Sequence, residues 1–151
     1  MTNENVFYRI VVPTDFSDCS EQAWALAQRL ARAFAAELVL VHILAEPPPH
    51  EEGPFSLAQA EKVYEGSRKW VEDSLQAWAA KAQSQGLNVR VVLRPGAPDR
   101  ELVTLAMDER ADLVVIGTHG RGGIDRALLG SVADRVVRTA PCPVLTVRKP
   151  E

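Results

Sequence analysis

Asp112-Leu-Val-Val-Ile-Gly117-Thr-His-Gly120-Arg-Gly122-Gly123-Ile-Asp-Arg126-Ala-Leu-Leu-Gly130-Ser131-Val132 changes character twice within 21 residues. Its first six residues are mostly apolar and β-branched, as in a strand covered on both faces. Five glycines then fall in the fourteen positions from 117 to 130. Glycine adopts backbone conformations closed to other residues and lets a ligand approach the main chain. Gly130-Ser131 opens a segment, Ser131 to Arg138, that reads as a helix. The first N–H groups of a helix have no acceptor within it, and its dipole places partial positive charge there. Ser131 adds a hydroxyl, and Arg121 and Arg126 add permanent positive charge. Strand, glycine loop and helix start converge on phosphate chemistry; a tight turn made by the same glycines is the plainer alternative.

The same alternation extends along the chain. Val6–Val12 reads as a strand stopped by Pro13, and Ser17 or Asp18 as the cap of a helix, with Glu21 and Gln22 completing a loose capping pattern. Cys19, Ala23, Leu26, Ala27, Leu30 and Phe34 recur at steps of three and four and make that helix's buried stripe. Glu37–Leu44 is a second strand, apolar almost throughout. Residues 46–54, with three successive prolines, break regular structure. A long helix begins near Ser56, keeps its spacing through Leu57, Ala60, Tyr64, Val71, Leu75, Trp78 and Ala82, and stops at Gly86. Val89–Leu93 is a strand and Pro95-Gly96 a turn; a helix runs from Pro98 to about Arg110. Pro143–Arg148 is the fifth strand. The order β-α-β-α-β-α-β-α-β predicts an α/β fold, a parallel sheet with helices on both faces and right-handed crossovers.

Composition narrows the function. The 151 residues favour one domain, residues 1–151. Seventeen Lys and Arg against 20 Asp and Glu give a net charge of −3, which argues against a nucleic-acid binder and gives no support for an anionic membrane surface. Two cysteines, Cys19 and Cys142, make neither a disulfide framework nor a four-ligand zinc site, and a reducing, cytoplasmic setting fits them. The start, Met1 to Asn5, is not a signal peptide, and no apolar run reaches the roughly 18 residues of a membrane span. Three scattered histidines show no metal-ligand spacing: His42 reads as a core histidine and His50 as solvated. His119 lies between the loop glycines, where it could touch a phosphate; an exposed loop histidine is the alternative. Trp78 reads as core, whereas Trp24 and Trp70 fall off their helical stripes and suggest a partner surface.

The glycine loop is not a Walker A loop, because Gly-Lys-Ser/Thr occurs nowhere. Nor is it a dinucleotide fingerprint, which belongs after the first strand, where this chain has Pro13-Thr14-Asp15-Phe16-Ser17. Asp15 there has an ordinary reading as a cap or Asx-turn residue. Gly117, Gly120, Gly130 and Ser131 instead match the Gly-x2-Gly-x9-Gly-Ser/Thr spacing of the universal stress protein family. Pro13-Thr14-Asp15 and Pro141-Cys-Pro143-Val-Leu-Thr-Val147 also resemble that family, over roughly residues 6–148. The resemblance implies a Rossmann-like open sheet of five parallel strands in the order 3-2-1-4-5, with ATP across the ends of the first and fourth. It assigns the ribose hydroxyls to Asp15, the adenine side to Pro13, Thr14, Ile43 and Ile116, and ribose and phosphates to Gly117, Gly120, Gly130 and Ser131, with Val132 nearby. Ala133 departs from members that carry a hydroxyl residue there. Arg121 joins the candidate anion site, and a magnesium ion could accompany the phosphates, held mainly by nucleotide and water.

Three functions remain open: an ATP-binding stress-response regulator acting as a dimer, a slow ATP hydrolase or adenylate-transferring enzyme, and a nucleotide-free interaction module. The Ser-Gly-Gly-x-Asp-Ser of distantly similar adenylating enzymes is missing, no nucleophile–base pair stands near the loop, and no catalytic or metal-ligating residue is assigned. Five strands and four helices occupy nearly the whole length, so the regulator is preferred. Val144–Val147, an edge strand in the implied order, is the candidate homodimer contact. The proline segment 47–55 is a candidate flap.

Overall fold

Alternation along the strands decides the layering. Ile10, Val12, Leu38, Leu40, Leu113 and Val115 point to one face of the sheet, and Val11, Val39, Val41, Ile43, Val114 and Ile116 to the other. Every one of these side chains is buried, so both faces must be covered by helices. The computed structural model describes residues 5–46, 57–119 and 129–149. In it the chain runs β1 (Arg9–Pro13), α1 (Asp18–Phe34), β2 (Glu37–Leu44), α2 (Leu57–Ser84), β3 (Val89–Pro95), α3 (Pro98–Asp108), β4 (Leu113–Gly117), α4 (Ser131–Thr139) and β5 (Val144–Val147). The five strands form one parallel sheet in the order β3-β2-β1-β4-β5, as expected. Helices α1 and α2 cover the first face through Ala23, Trp24, Ala27, Val71 and Leu75; α3 and α4 cover the second through Leu102, Leu105, Ala106, Ala133 and Val136. Among the described residues no helix is long and apolar enough to cross a membrane.

Several local expectations change. The first strand begins at Arg9, not Val6, because its neighbours supply no register partner upstream of the Arg9↔Glu37 pair. Phe7 instead meets Phe34 edge to face at 5.1 Å, while Val6 and Tyr8 are exposed. Pro95 is the last residue of β3 rather than the start of a turn: it pairs with Leu44, and an edge strand tolerates a missing N–H on its open side. The third helix ends at Asp108, and Arg110 turns the chain at φ 50°. Ser17 caps α1 as expected, but its partner is the Ser20 N–H, not a group on Glu21 or Gln22. Trp24 is buried in the core on the α1 and α2 face of the sheet, so it marks no partner surface; the stripe of α1 is wider than its three-four spacing suggested. Among the described side chains of α2, Val71, Leu75, Ala79 and Ala82 are the buried ones, and Val63 is 71% exposed. A helix of 28 residues is about 42 Å long, whereas the eight residues of β2 span at most about 27 Å, so the helix outruns its sheet. The proline segment, with His50, lies outside the described residues.

Candidate functional site

The order of the sheet reverses between β1 and β4, and the site forms around the carboxyl ends of these two strands. At the first, the Thr14 N–H still donates to the Val41 carbonyl (2.8 Å), which carries the β1–β2 ladder one residue past Pro13. The chain then turns sharply. Thr14 Oγ1 accepts from the Phe16 N–H (3.0 Å) and Asp15 Oδ1 from the Ser17 N–H (3.0 Å). Phe16 sits at φ 64°, a region a bulky side chain occupies only when its surroundings hold it there. Here they do: its ring stacks on His42 (centroids 5.5 Å) and meets Trp70 and Trp78 edge to face (5.1 and 5.4 Å). His42 Nδ1–H donates to the Thr14 carbonyl (2.7 Å), which fixes its tautomer. His42 is thus half-buried at the rim of the site and not a core histidine.

At the second strand end, the Thr118 N–H donates to the Val147 carbonyl (2.9 Å). The chain returns to the same place at Gly130, whose N–H donates to the Thr118 carbonyl (2.7 Å). A side chain on Gly130 would approach that carbonyl to 3.0 Å. Gly117 has a different reason to be glycine: a Cβ there would lie 2.8 Å from the Cβ of Cys19 and 2.9 Å from its carbonyl carbon. Helix α4 starts at Ser131, and the first intrahelical bond runs from the Asp134 N–H to the Gly130 carbonyl (2.9 Å). α-Helical geometry leaves the N–H groups of Ser131, Val132 and Ala133 without acceptors inside the helix.

Between the two strand ends lies a cleft of about 640 Å³, a usual size for a small-molecule site. Ile43, Ile116, Leu102 and Pro98 give it apolar walls; Thr14, Asp15, Ser20, His42, Thr118, His119 and Ser131 give it polar ones. Of the candidate residues, Pro13, Thr14, Asp15, Ile43, Ile116, Gly117, His119, Gly130, Ser131 and Val132 all line it. Gly120 and Arg121, with Arg126, lie outside the described residues. His119 is half-buried, its Nδ1 3.1 Å from Thr118 Oγ1. Sequence reasoning missed Ser20, Thr118 and the α3 pair Pro98 and Leu102. Ser20 could have been found by asking which residue at the start of α1 faces back onto Asp15; Pro98 and Leu102 come from α3, which follows neither of the two strand ends in sequence, and carry no local signal. A second, more open hollow of about 600 Å³ adjoins the same loop, between Asp15, Phe16 and His42 and the α2 residues Val63, Gly66, Ser67, Trp70 and Val71.

A parallel sheet with a cleft where its strand order reverses defines the doubly wound, ligand-binding class of α/β proteins. Within that class the chain belongs to the universal stress protein family, whose model matches residues 7–148. It is 36% identical over 151 residues to a universal stress protein of Methanocaldococcus jannaschii, covering 98% of this chain and 86% of that one. Among solved structures, the universal stress protein UspA of Lactobacillus plantarum shares the fold with a TM-score of 0.84 at 23% identity, covering 94% of this chain and 98% of that one. A universal stress protein solved in complex with cAMP is similar with a TM-score of 0.70 at 29% identity, covering 95% of this chain and 98% of that one.

Proposed function

We propose that this chain binds ATP in the cleft between β1 and β4 and acts as a nucleotide-dependent, dimeric regulator of the stress-response type, residues 1–151 working as one domain. The observation that carries the reading is the convergence in one cleft of a carboxylate, apolar walls and a helix start. Asp15 accepts from the ribose hydroxyls, as an ionised carboxylate can. Ile43 and Ile116 hold the adenine between them, with Pro13 and Thr14 at its edge. The phosphates draw on the N–H groups of Ser131, Val132 and Ala133 and on the Ser131 hydroxyl, because the Gly130 N–H is already engaged by Thr118. Ala133 brings no hydroxyl, which leaves one phosphate contact fewer. Asp15 is the one carboxylate among the described residues lining the cleft, so a magnesium ion travelling with the phosphates is held mainly by nucleotide and water. The relative solved with cAMP, an adenine nucleotide, supports the ligand class.

Calorimetric titration with ATP tests this reading. Binding is expected in the wild type, with a loss of about tenfold or more in Asp15→Ala, which removes charge-assisted hydrogen bonds, and a loss in Gly130→Val, whose side chain crowds the Thr118 carbonyl. No binding at millimolar ATP contradicts it. Steady hydrolysis at about 1 per second or faster would move the protein to the enzyme reading. The dimer part rests on β5, the outermost strand on its side of the sheet, with Leu145 38% exposed.

A further inference from the structure

We propose that Ser20 is a positioning residue for ribose recognition: its hydroxyl holds the Asp15 carboxylate in the orientation that receives the sugar hydroxyls. The inference rests on the adenosine reading of the cleft and deepens it. Ser20 is 6% exposed, stands at the third position of α1 and lines the cleft beside Asp15. Two contacts join the pair. Ser20 Oγ lies 2.6 Å from Asp15 Oδ1, and the Asp15 N–H lies 3.2 Å from Ser20 Oγ. A serine hydroxyl has one proton and two lone pairs. A carboxylate oxygen only accepts, so the Ser20 proton goes to Asp15 Oδ1. The backbone N–H of Asp15 then takes one lone pair of Ser20 Oγ.

Ser17 completes the arrangement and fixes its direction. Ser17 Oγ lies 3.1 Å from Ser20 Oγ, and since the Ser20 proton is spent on the carboxylate, Ser17 donates into the remaining lone pair. Ser17 Oγ in turn accepts from the Ser20 N–H (3.3 Å). The hydroxyls therefore form a directed chain from Ser17 through Ser20 to Asp15, and such chains polarise their members and strengthen the last bond. Asp15 Oδ1 also accepts from the Ser17 N–H (3.0 Å), so two donors from the start of α1 fix that oxygen. Removing the Ser17 N–H contact would unmake the turn, but removing the Ser20 hydroxyl keeps the turn and takes from Asp15 Oδ1 the shorter of these two contacts, so that the carboxylate is held less firmly. A carboxylate held in place loses less rotational freedom when a ligand engages it. The effect of Ser20 should thus fall on the sugar hydroxyls and not on base or phosphate.

The test is calorimetry of the full chain with ATP and with 2′,3′-dideoxy-ATP, which lacks the sugar hydroxyls. The wild type should prefer ATP by about tenfold or more, the size of hydrogen bonds to a charged group. In Ser20→Ala the preference should fall to within about threefold, while affinity for the dideoxy analogue changes by no more than about twofold. Ser17→Ala, which loses the helix cap and the first hydroxyl of the chain but leaves the Ser20–Asp15 bond, should melt at a lower temperature yet keep most of the preference for ATP, separating a merely structural role from positioning. If Ser20→Ala does not fold, Ser20→Cys, with its weaker donor, should show the same loss of preference. Retention of the full wild-type preference in a folded Ser20 variant overturns the inference and leaves the nucleotide reading standing. A wild type that binds both analogues equally overturns the Asp15–ribose contact and the inference with it. A wild type that binds neither overturns the nucleotide reading itself.

Discussion

Gly117 and Asp15, both read in the sequence for ligand contact, also have structural work in the fold. In the sequence Gly117 reads as room for a ligand; in the fold its missing side chain is room for the start of α1, because a Cβ would collide with both the side chain and the backbone of Cys19. Gly117→Ala should destabilise the protein by about 1–3 kcal/mol in denaturant unfolding, the range for overpacking. Cys19→Gly should not rescue it, since the carbonyl carbon of Cys19 stays 2.9 Å away. Asp15 is likewise an Asx-turn residue, as its ordinary reading foresaw, through the Ser17 N–H bond. Asp15→Ala therefore removes a turn together with any ligand contact. Asp15→Asn keeps an acceptor oxygen in the turn and removes the charge, with the second acceptor oxygen replaced by an NH2 donor. It should unfold within about 1 kcal/mol of wild type but bind ATP several-fold more weakly, a pairing that melting curves and calorimetry together can check.

At the scale of elements, the amino ends of the strands are clamped by charge. Arg9 at the start of β1 reaches Glu37 at the start of β2 (3.5 Å) and Glu109 after α3 (3.8 Å), and Arg90 in β3 reaches Glu37 through Nε (3.0 Å) and binds Glu109 with its two terminal guanidinium nitrogens. The hydrogen-bonded guanidinium of Arg90 holds the Glu109 carboxyl below its ordinary value of 4.5. A depressed carboxylate contributes stability that is fully present above its unfolded value and lost as pH falls through the folded one. Acid unfolding should therefore steepen below about pH 4.5 in the wild type, and Glu109→Gln should flatten that slope; an unchanged slope would contradict the clamp. In α2, Leu75→Ala should cost about 2–5 kcal/mol, whereas Val63→Ala should stay within about 0.5 kcal/mol, since the first is buried and the second exposed. Such elements show what was legible. The alternation of strands and helices follows from runs such as Glu37–Leu44, whereas the strand order and the residues of the cleft's two walls come from the family resemblance that the glycine spacing carries. The early start assigned to the first strand, and the partner surface assigned to Trp24, failed because both depend on neighbours distant in sequence. Whether Val6–Tyr8 pairs is decided by where β2 begins, and whether Trp24 is buried by how the core on that face of the sheet packs around it. The contribution of α3 to the cleft was hidden for the same reason.

The whole molecule is polarised along its strands, with the charged clamp at one end and the cleft at the other. The long first half of α2 extends toward the cleft end, where Trp70, 53% exposed, meets Phe16. Across the strands the sheet is asymmetric as well: β3 is one edge and β5 the other. Lys149, just past β5, is tied to Asp18 at the start of α1 (2.6 Å). Pairing through β5 predicts a dimer by light scattering at micromolar concentration, and Leu145→Lys, which places a charge on that edge, should convert it to monomer. A protein that is monomeric without the substitution would contradict the pairing. The central claim, that the cleft between β1 and β4 takes the nucleotide, is tested most directly by following backbone amide NMR signals during titration with ATP. The account predicts that the largest shifts fall on Thr14 to Ser20, Ile43, Gly117, Thr118 and Ser131 to Ala133, with the Arg9, Glu37, Arg90 and Glu109 clamp unmoved. Shifts centred on Val63, Ser67 and Trp70 at the second hollow, with the β1 and β4 ends silent, would contradict it.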